Sequence, residues 1–394
     1  MATTVGGVGR PEGKHVGALD VVYYYVGGSC YRAGVNPYDY LSFTTWAREH
    51  IWDEPYVDSS TRGVETGYAY PPTAAVPFWA LAHLSFNGAR VAWICLNAVS
   101  LAVVAGVLGW AVLRDPGVGG WGRPRWRWLA PTLLAGYALV SPYTSHNIWM
   151  GQSSLVALAL LCGAWWAKER DAWLLCGVLT ALATAKISMS VFFVLTLVVE
   201  RRWRAFGAAC ACCVLLASIP LVREGPLGMV ESWFGGMKQY MMGRPGDIEN
   251  TENFGVRNLA AAWFGVNLRG WEAVGLAVFG VCAWRRSLFT SLQFFVLGLA
   301  CAVLFVKGND YDLVVLMAVF AACLAAASRS LAWTMLACAV FAAMAVPKRF
   351  FTDTLGEPGV LRAREVLLLL VVLGLAFRAF ARGLPAADPS YDRA

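Results

Sequence analysis

Stretches of about 20 residues almost free of charge recur along this chain, 89–113 and 287–306 being the clearest. As an α-helix, such a run covers roughly 30 Å of hydrocarbon. Lipid offers no partners to backbone N–H and C=O groups, so the runs must fold as helices, whose hydrogen bonds are internal. A membrane barrel would instead alternate apolar and polar residues over roughly ten-residue stretches, and the chain shows no such pattern. Composition agrees. Of 394 residues, 58% are hydrophobic and only 14% charged, whereas soluble domains carry roughly a quarter of their residues charged. The mean hydropathy is +0.54. The expected fold class is an all-α integral membrane protein.

Apolar runs at 89–113, 128–141, 151–167, 172–185, 187–199, 205–222, 271–284, 288–306, 313–327, 331–346 and 363–380 predict about 11 crossings. Basic residues cluster at 114–127, 200–204 and 285–286, at Arg329, and in a tail carrying Arg378 and Arg382. The positive-inside rule places all of these in the cytoplasm. Arg123, Arg125, Arg201, Arg202 and Arg204 would then lie near anionic headgroups. The net charge of +7 thus reflects topology rather than a nucleic-acid partner. The opposite face receives 1–88, a loop at 142–152, a long loop at 223–270 and the turn 307–312. The organisation expected is an extracytoplasmic segment 1–88, a bundle 89–222, an extracytoplasmic loop 223–270, and a second bundle with a cytoplasmic tail, 271–394. Within the first segment, 70–86 is apolar but short and holds Pro71, Pro72 and Pro77, which suits a re-entrant or interfacial element. An outer segment of this length needs a helix ahead of it. The first 16 residues contain no apolar core, so that first helix is expected upstream.

Of the 11 cysteines, all but Cys30 lie in apolar runs, where they act as small hydrophobes. Neither a disulfide framework nor a zinc spacing is present, and no metal or other cofactor is expected. A phosphate-binding loop of the Gly-x-x-x-x-Gly-Lys type is also absent from the sequence.

The polar chemistry gathers on the outer face. Asp20 precedes Val21-Val22-Tyr23-Tyr24-Tyr25, and a carboxylate partly desolvated by such a rim could accept a hydroxyl proton. On spacing alone it reads equally as a solvated loop acid. Lys186 sits between two apolar runs, where a charge costs on the order of 3 kcal/mol. It either snorkels to the headgroups or holds an anionic group. The turn Lys307-Gly308-Asn309-Asp310-Tyr311-Asp312 is either a solvated hairpin or a place where Asp310 or Asp312 binds sugar hydroxyls or orients Lys307. Asn253 and Arg257 belong to a helix-capping turn or to a pocket lining. His146 is a lone loop histidine. The 18 tryptophans mostly mark span ends, as in an aromatic belt.

The order of these motifs resembles a known family. Asp20, then Gly34-Val35-Asn36-Pro37-Tyr38, then Tyr68-Ala69-Tyr70-Pro71-Pro72, is followed by Gly151-Gln152-Ser153-Ser154, by Lys186 after an apolar run, and by Tyr311-Asp312-Leu313. That succession is similar to glycosyltransferase family 87, the polyprenyl-phosphate-sugar-dependent mannosyl- and arabinosyltransferases with the GT-C membrane fold. The resemblance implies a GT-C-like bundle of about twelve spans, of which the expected first helix is missing here. It also implies that Asp20 is the general base. By their charge, Lys186, Lys307 and Arg257 are the candidates to contact the donor phosphate. Tyr38, Tyr70, Gln152, Asn253, Asp310 and Asp312 would bind substrate. The expected partners are a polyprenyl-phosphate sugar, a lipid or glycan acceptor and membrane lipids, at the extracytoplasmic face of the plasma membrane. The alternative is a multi-span transporter or flippase of lipid-linked sugars, although no internal repeat of the kind transporters carry is evident.

Overall fold

A computed structural model describes residues 20–51, 67–114, 126–242, 253–257, 260, 264, 270–306, 308–327, 331–345 and 366–376. Helices dominate. The first are α1 (Val21–Ala33), α2 (Tyr40–His50), α3 (Ala75–Leu81) and α4 (Phe86–Arg114). Next come α5 (Trp126–Val140), α6 (Pro142–Met150), α7 (Ser154–Lys168), α8 (Trp173–Ala183), α9 (Ile187–Val199), α10 (Trp203–Leu216) and α11 (Ser218–Met242). The rest are α12 (Trp271–Trp284), α13 (Ser291–Phe305), α14 (Leu316–Ala327), α15 (Leu331–Ala345) and α16 (Val366–Ala376). The strands among the described residues are a two-residue antiparallel pair, β1 (Asn253–Phe254) and β2 (Gly308–Asn309).

Two apolar cores form. The larger runs from Val104 to Leu375 and centres on α7, α13 and α14. Every residue of α13 from Leu292 onward is buried, as expected of a helix apolar on all sides. Thr290 and Gln293 close a reciprocal capping box at its start. Because α13 is sheathed by protein, its 15 residues need not match the thickness of lipid. The smaller core joins α1, α2, α3 and the start of α4 through Tyr24, Tyr31, Phe43, Tyr68, Phe78 and Trp93. Gly28 makes it possible: a Cβ there would stand 2.0 Å from the Phe78 carbonyl oxygen, so only glycine lets α1 lie against α3.

Outward-facing positions are also apolar. Val99 is 60% exposed on α4, Leu215 68% on α10 and Val222 83% on α11. Apolar exposure of this kind marks a surface meant to be covered, as a bilayer would cover it.

The expected segmentation holds in part. Among the described residues, two helical stretches, Phe86–Arg114 and Trp173–Val199, are long and apolar enough to cross a membrane, and four are if each bent pair counts as one span. The remaining apolar helices are shorter, so length does not reproduce about eleven full crossings. Trp173–Val199 is moreover not one straight rod. Arg202 pairs with Asp171 at 2.5 Å and Lys168 with Glu200 at 2.5 Å, whereas 27 helical residues in line would hold those ends roughly 40 Å apart. The chain instead reverses at the 3-10 turn Thr184–Lys186, where Lys186 leaves helical geometry (φ −122°, ψ 78°). The sequence-based division at Lys186 is therefore retained.

Three other expectations are corrected. Residues 142–150 are not a loop but α6, started by Pro142 in its first turn and ended by left-handed Gly151 (φ 69°). It bends 113° from α7. The loop expected from 223 is helical to Met242, because Pro226 restarts the helix after a break at Gly225 (φ 71°, ψ 172°). The run 205–222 is not one straight helix, since α10 and α11 meet at 96°. The apolar stretch 70–86 folds as a 3-10 turn and the seven-residue α3, roughly 10 Å of helix and too short to cross. The helix expected ahead of Asp20 lies outside the described residues.

The bundle has two distinct ends. From Ser154 to Lys168 along α7, and from Lys186 to Glu200 along α9, the chain travels roughly 20 Å. One end gathers Lys168, Glu200 and Arg286, with Arg170 stacked over Trp110 near the end of α4. The other carries Gln152, Lys186 and Asp312.

Candidate active site

At this second end a cavity of about 270 Å³ opens where the two cores meet. Asp20, Tyr23 and Tyr70 line it from the smaller core, and Gln152, Lys186 and Ser188 from the larger, with Tyr240 of α11 closing one side.

Asp20 is held by its backbone. Its N–H donates to the Met150 carbonyl at 2.7 Å, tying the start of α1 to the end of α6. Asp20 occupies the N-cap position, yet its side chain makes no capping bond, so the carboxylate is not folded back onto the helix amides as N-cap acids usually are.

Lys186 stands at the apex of the α8–α9 reversal, and its ammonium pairs with Asp312 at 2.7 Å. The Ser154 hydroxyl donates to the same carboxylate at 2.6 Å. The carboxylate is 3% exposed and the ammonium side chain 12%, so the acid is the inner partner and the cation faces the cavity. The 3-10 segment Asp310–Val315, which carries Asp312, packs against α6, α7 and α13, with Asp312 at the start of α7.

The wall behind Tyr70 is aromatic. Tyr38 is buried and does not line the cavity; its hydroxyl donates to the Tyr70 carbonyl at 2.8 Å. Burial pushes the Tyr38 and Tyr68 phenols well above their ordinary value, so both remain neutral. Gln152 is almost fully buried and is positioned by an N–H bond to the Asn147 carbonyl.

The β1–β2 pairing sets Asn253 opposite Asn309, which brings the expected loop at 253–257 beside the segment leading to Asp310 and Asp312. Arg257 follows β1 directly but is not among the residues lining the cavity. Lys307 lies outside the described residues, as do the side chains of Asn253 and Asp310. His146 is exposed on α6 against Trp149. Among the described residues, no three His, Cys, Asp or Glu side chains gather as metal ligands do.

Sequence reasoning missed Ser154, Ser188 and Tyr240, whereas Tyr23 was expected in the rim beside Asp20. For Ser154 a signal existed, since it ends the Gly151-Gln152-Ser153-Ser154 motif. Tyr240 carries none, because the helix that delivers it reads as loop.

An apolar helical bundle with Asp20, Gln152 and Lys186 recessed in a cavity at one end suits a membrane protein that works on a partly polar ligand. The sequence profile of glycosyltransferase family 87 matches residues 68–347, well over half of the chain, and the chain belongs to that family. It is therefore a membrane glycosyltransferase. Tyr70, Gln152, Lys186 and Asp312 fall within the match, whereas Asp20 and Tyr38 lie ahead of it. No curated protein and no solved structure matches the chain.

Proposed function

We infer that this glycosyltransferase moves a hexose, mannose foremost, or a pentose from a polyprenyl-phosphate donor to a lipid or glycan acceptor on the extracytoplasmic face of the plasma membrane. The observation that carries this reading is that Asp20 and Lys186 share one cavity at the end of the bundle opposite the basic cluster. By the positive-inside rule, an end rich in Lys and Arg faces the cytoplasm, which supports an extracytoplasmic cavity. Nucleotide sugars are cytoplasmic substrates. A lipid-borne donor is the form in which an activated sugar reaches that face.

In the proposed reaction the acceptor oxygen forms a bond to the anomeric carbon while the bond from that carbon to the phosphate oxygen breaks. The electron pair leaves with the polyprenyl phosphate, and the hydroxyl proton passes to the Asp20 carboxylate. Lys186 neutralises the charge developing on the phosphate in a site where low dielectric strengthens the attraction. Asp312, fixed by Ser154, positions Lys186. Tyr70, Gln152 and the Asn253 and Asp310 segments bind sugar or acceptor hydroxyls. Lys307 is a second phosphate contact; Arg257, which does not line the cavity, is left out of the donor site. A volume of about 270 Å³ lies near the small end of ligand clefts, roughly 300–1,000 Å³. It suits a monosaccharide phosphate whose prenyl chain remains in lipid.

Membranes containing the protein, given radiolabelled polyprenyl-phosphate mannose or a nucleotide-linked mannose in parallel, test this directly. Label should enter a glycosidic product from the lipid donor alone. Direct transfer from the nucleotide sugar, with the lipid pool blocked, would refute the donor class. Movement of intact lipid-linked sugar between leaflets without product would favour a flippase.

A further inference from the structure

At the basic end of the bundle, roughly 20 Å from Lys186 along α9, a second cavity of about 480 Å³ is lined by Lys168, Asp171, Trp173, Arg201, Arg202 and Arg204. Two of its cations are already engaged: Lys168 with Glu200 at 2.5 Å and Glu169 at 3.3 Å, and Arg202 with Asp171 at 2.5 Å. Arg201 and Arg204 have no side-chain partner among the described residues, and both are exposed. Their charge is the surplus.

The backbone adds to it. Arg201 holds φ 54°, a left-handed conformation that a non-glycine residue seldom adopts. It turns the chain so that α10 starts at the cavity wall, with Arg204 and Ala205 of its first turn in the lining. The residue ahead of α10, Arg202, provides no side-chain cap. The uncapped amides of a helix start carry partial positive charge and favour an anion. The lining also carries apolar, exposed rings: Trp173 is 46% exposed and Trp203 57%. Exposed indoles beside cations are characteristic of headgroup depth.

We propose that this cavity binds the phosphate of an anionic phospholipid of the cytoplasmic leaflet, Arg201 and Arg204 taking the phosphate oxygens while Trp173 and Trp203 flank the glycerol and upper acyl carbons. These apolar rings argue for a lipid rather than a soluble anion, which would need no such border. The site rests on the chain's place in a bilayer and on no step of sugar transfer.

The test uses the full-length protein in detergent, with phosphatidylglycerol or phosphatidylcholine added and bound lipid read by native mass spectrometry. Wild type should retain phosphatidylglycerol in preference to phosphatidylcholine. Each arginine near a charged headgroup contributes about fivefold, so Arg204→Gln should weaken retention about fivefold and Arg201→Gly with Arg204→Gln roughly twenty-five-fold. Glycine suits the backbone at position 201, and Arg204→Gln alone leaves that backbone untouched. Lys186→Ala, at the other cavity, should leave retention unchanged even if it abolishes transfer, which separates this site from the proposed donor site. Equal retention of the two lipids, unaltered retention by both arginine variants, or full displacement by millimolar inorganic phosphate would overturn the assignment.

Discussion

The Lys186 ammonium and the Asp312 carboxylate meet at 2.7 Å inside the bundle, with Ser154 donating a further hydrogen bond to the acid. This contact ties the α8–α9 reversal to the segment that enters α14. Breaking a buried pair on one side costs about 3–5 kcal/mol, whereas replacing both partners with apolar groups is often neutral. Asp312→Asn should therefore lower thermal stability in detergent by that order. Lys186→Met combined with Asp312→Leu should regain most of the stability yet stay inactive. Activity in the stable double variant would remove Lys186 from the chemistry.

Ser154→Ala deletes the hydroxyl that holds Asp312. A hydrogen bond to a charged group is worth about 1.5–3 kcal/mol, so unfolding should come earlier by that amount. Transfer should fall with it, chiefly through a weaker hold on the donor. Melting and donor titration of the variant check both effects.

Gly28→Ala probes the small core. Its Cβ would collide with backbone, the Phe78 carbonyl, and not with a flexible side chain that could move aside. A loss of about 1–3 kcal/mol is expected from such overpacking. Gly106→Ala, with open space around it, serves as the control and should cost nothing.

At the basic end, burial alone would raise the Glu200 carboxyl, but Lys168 and then Arg286 outweigh it and hold the group below its usual 4.5. A depressed acid stabilises the fold above the unfolded value, and that contribution disappears as pH falls through the folded one. Wild type should lose melting temperature progressively below about pH 4.5. Glu200→Gln should be less stable near neutrality and converge with wild type in acid. Parallel curves for the two proteins would exclude Glu200 as the source.

Much of this was legible in the sequence. Apolar run length gave the helical class, and charge clusters gave the two ends, because both are properties of local composition. The reversal at Lys186 was readable because a charge interrupted two apolar runs. The helices α6 and the later part of α11 were not, since Thr144, His146 and Asn147, or Glu224, Glu231 and Lys238, make a polar helix look like a loop. Their helical form depends on Pro142, Gly151 and Pro226 acting as punctuation and on packing against α7 and α3. The distribution of partners was equally hidden. Nothing in the order of residues says that Asp312 turns to Lys186 and Ser154, or that Tyr38 supports Tyr70 from behind.

The central claim is that Asp20 takes the acceptor's proton. Asp20→Asn keeps the N–H bond to Met150 and the shape of the side chain while removing the base. Single-turnover transfer from polyprenyl-phosphate mannose, with donor binding measured on the same samples, is the most direct measurement. Transfer should fall about 10²- to 10⁴-fold with donor affinity nearly unchanged. Transfer by Asp20→Asn at the wild-type rate would contradict the account.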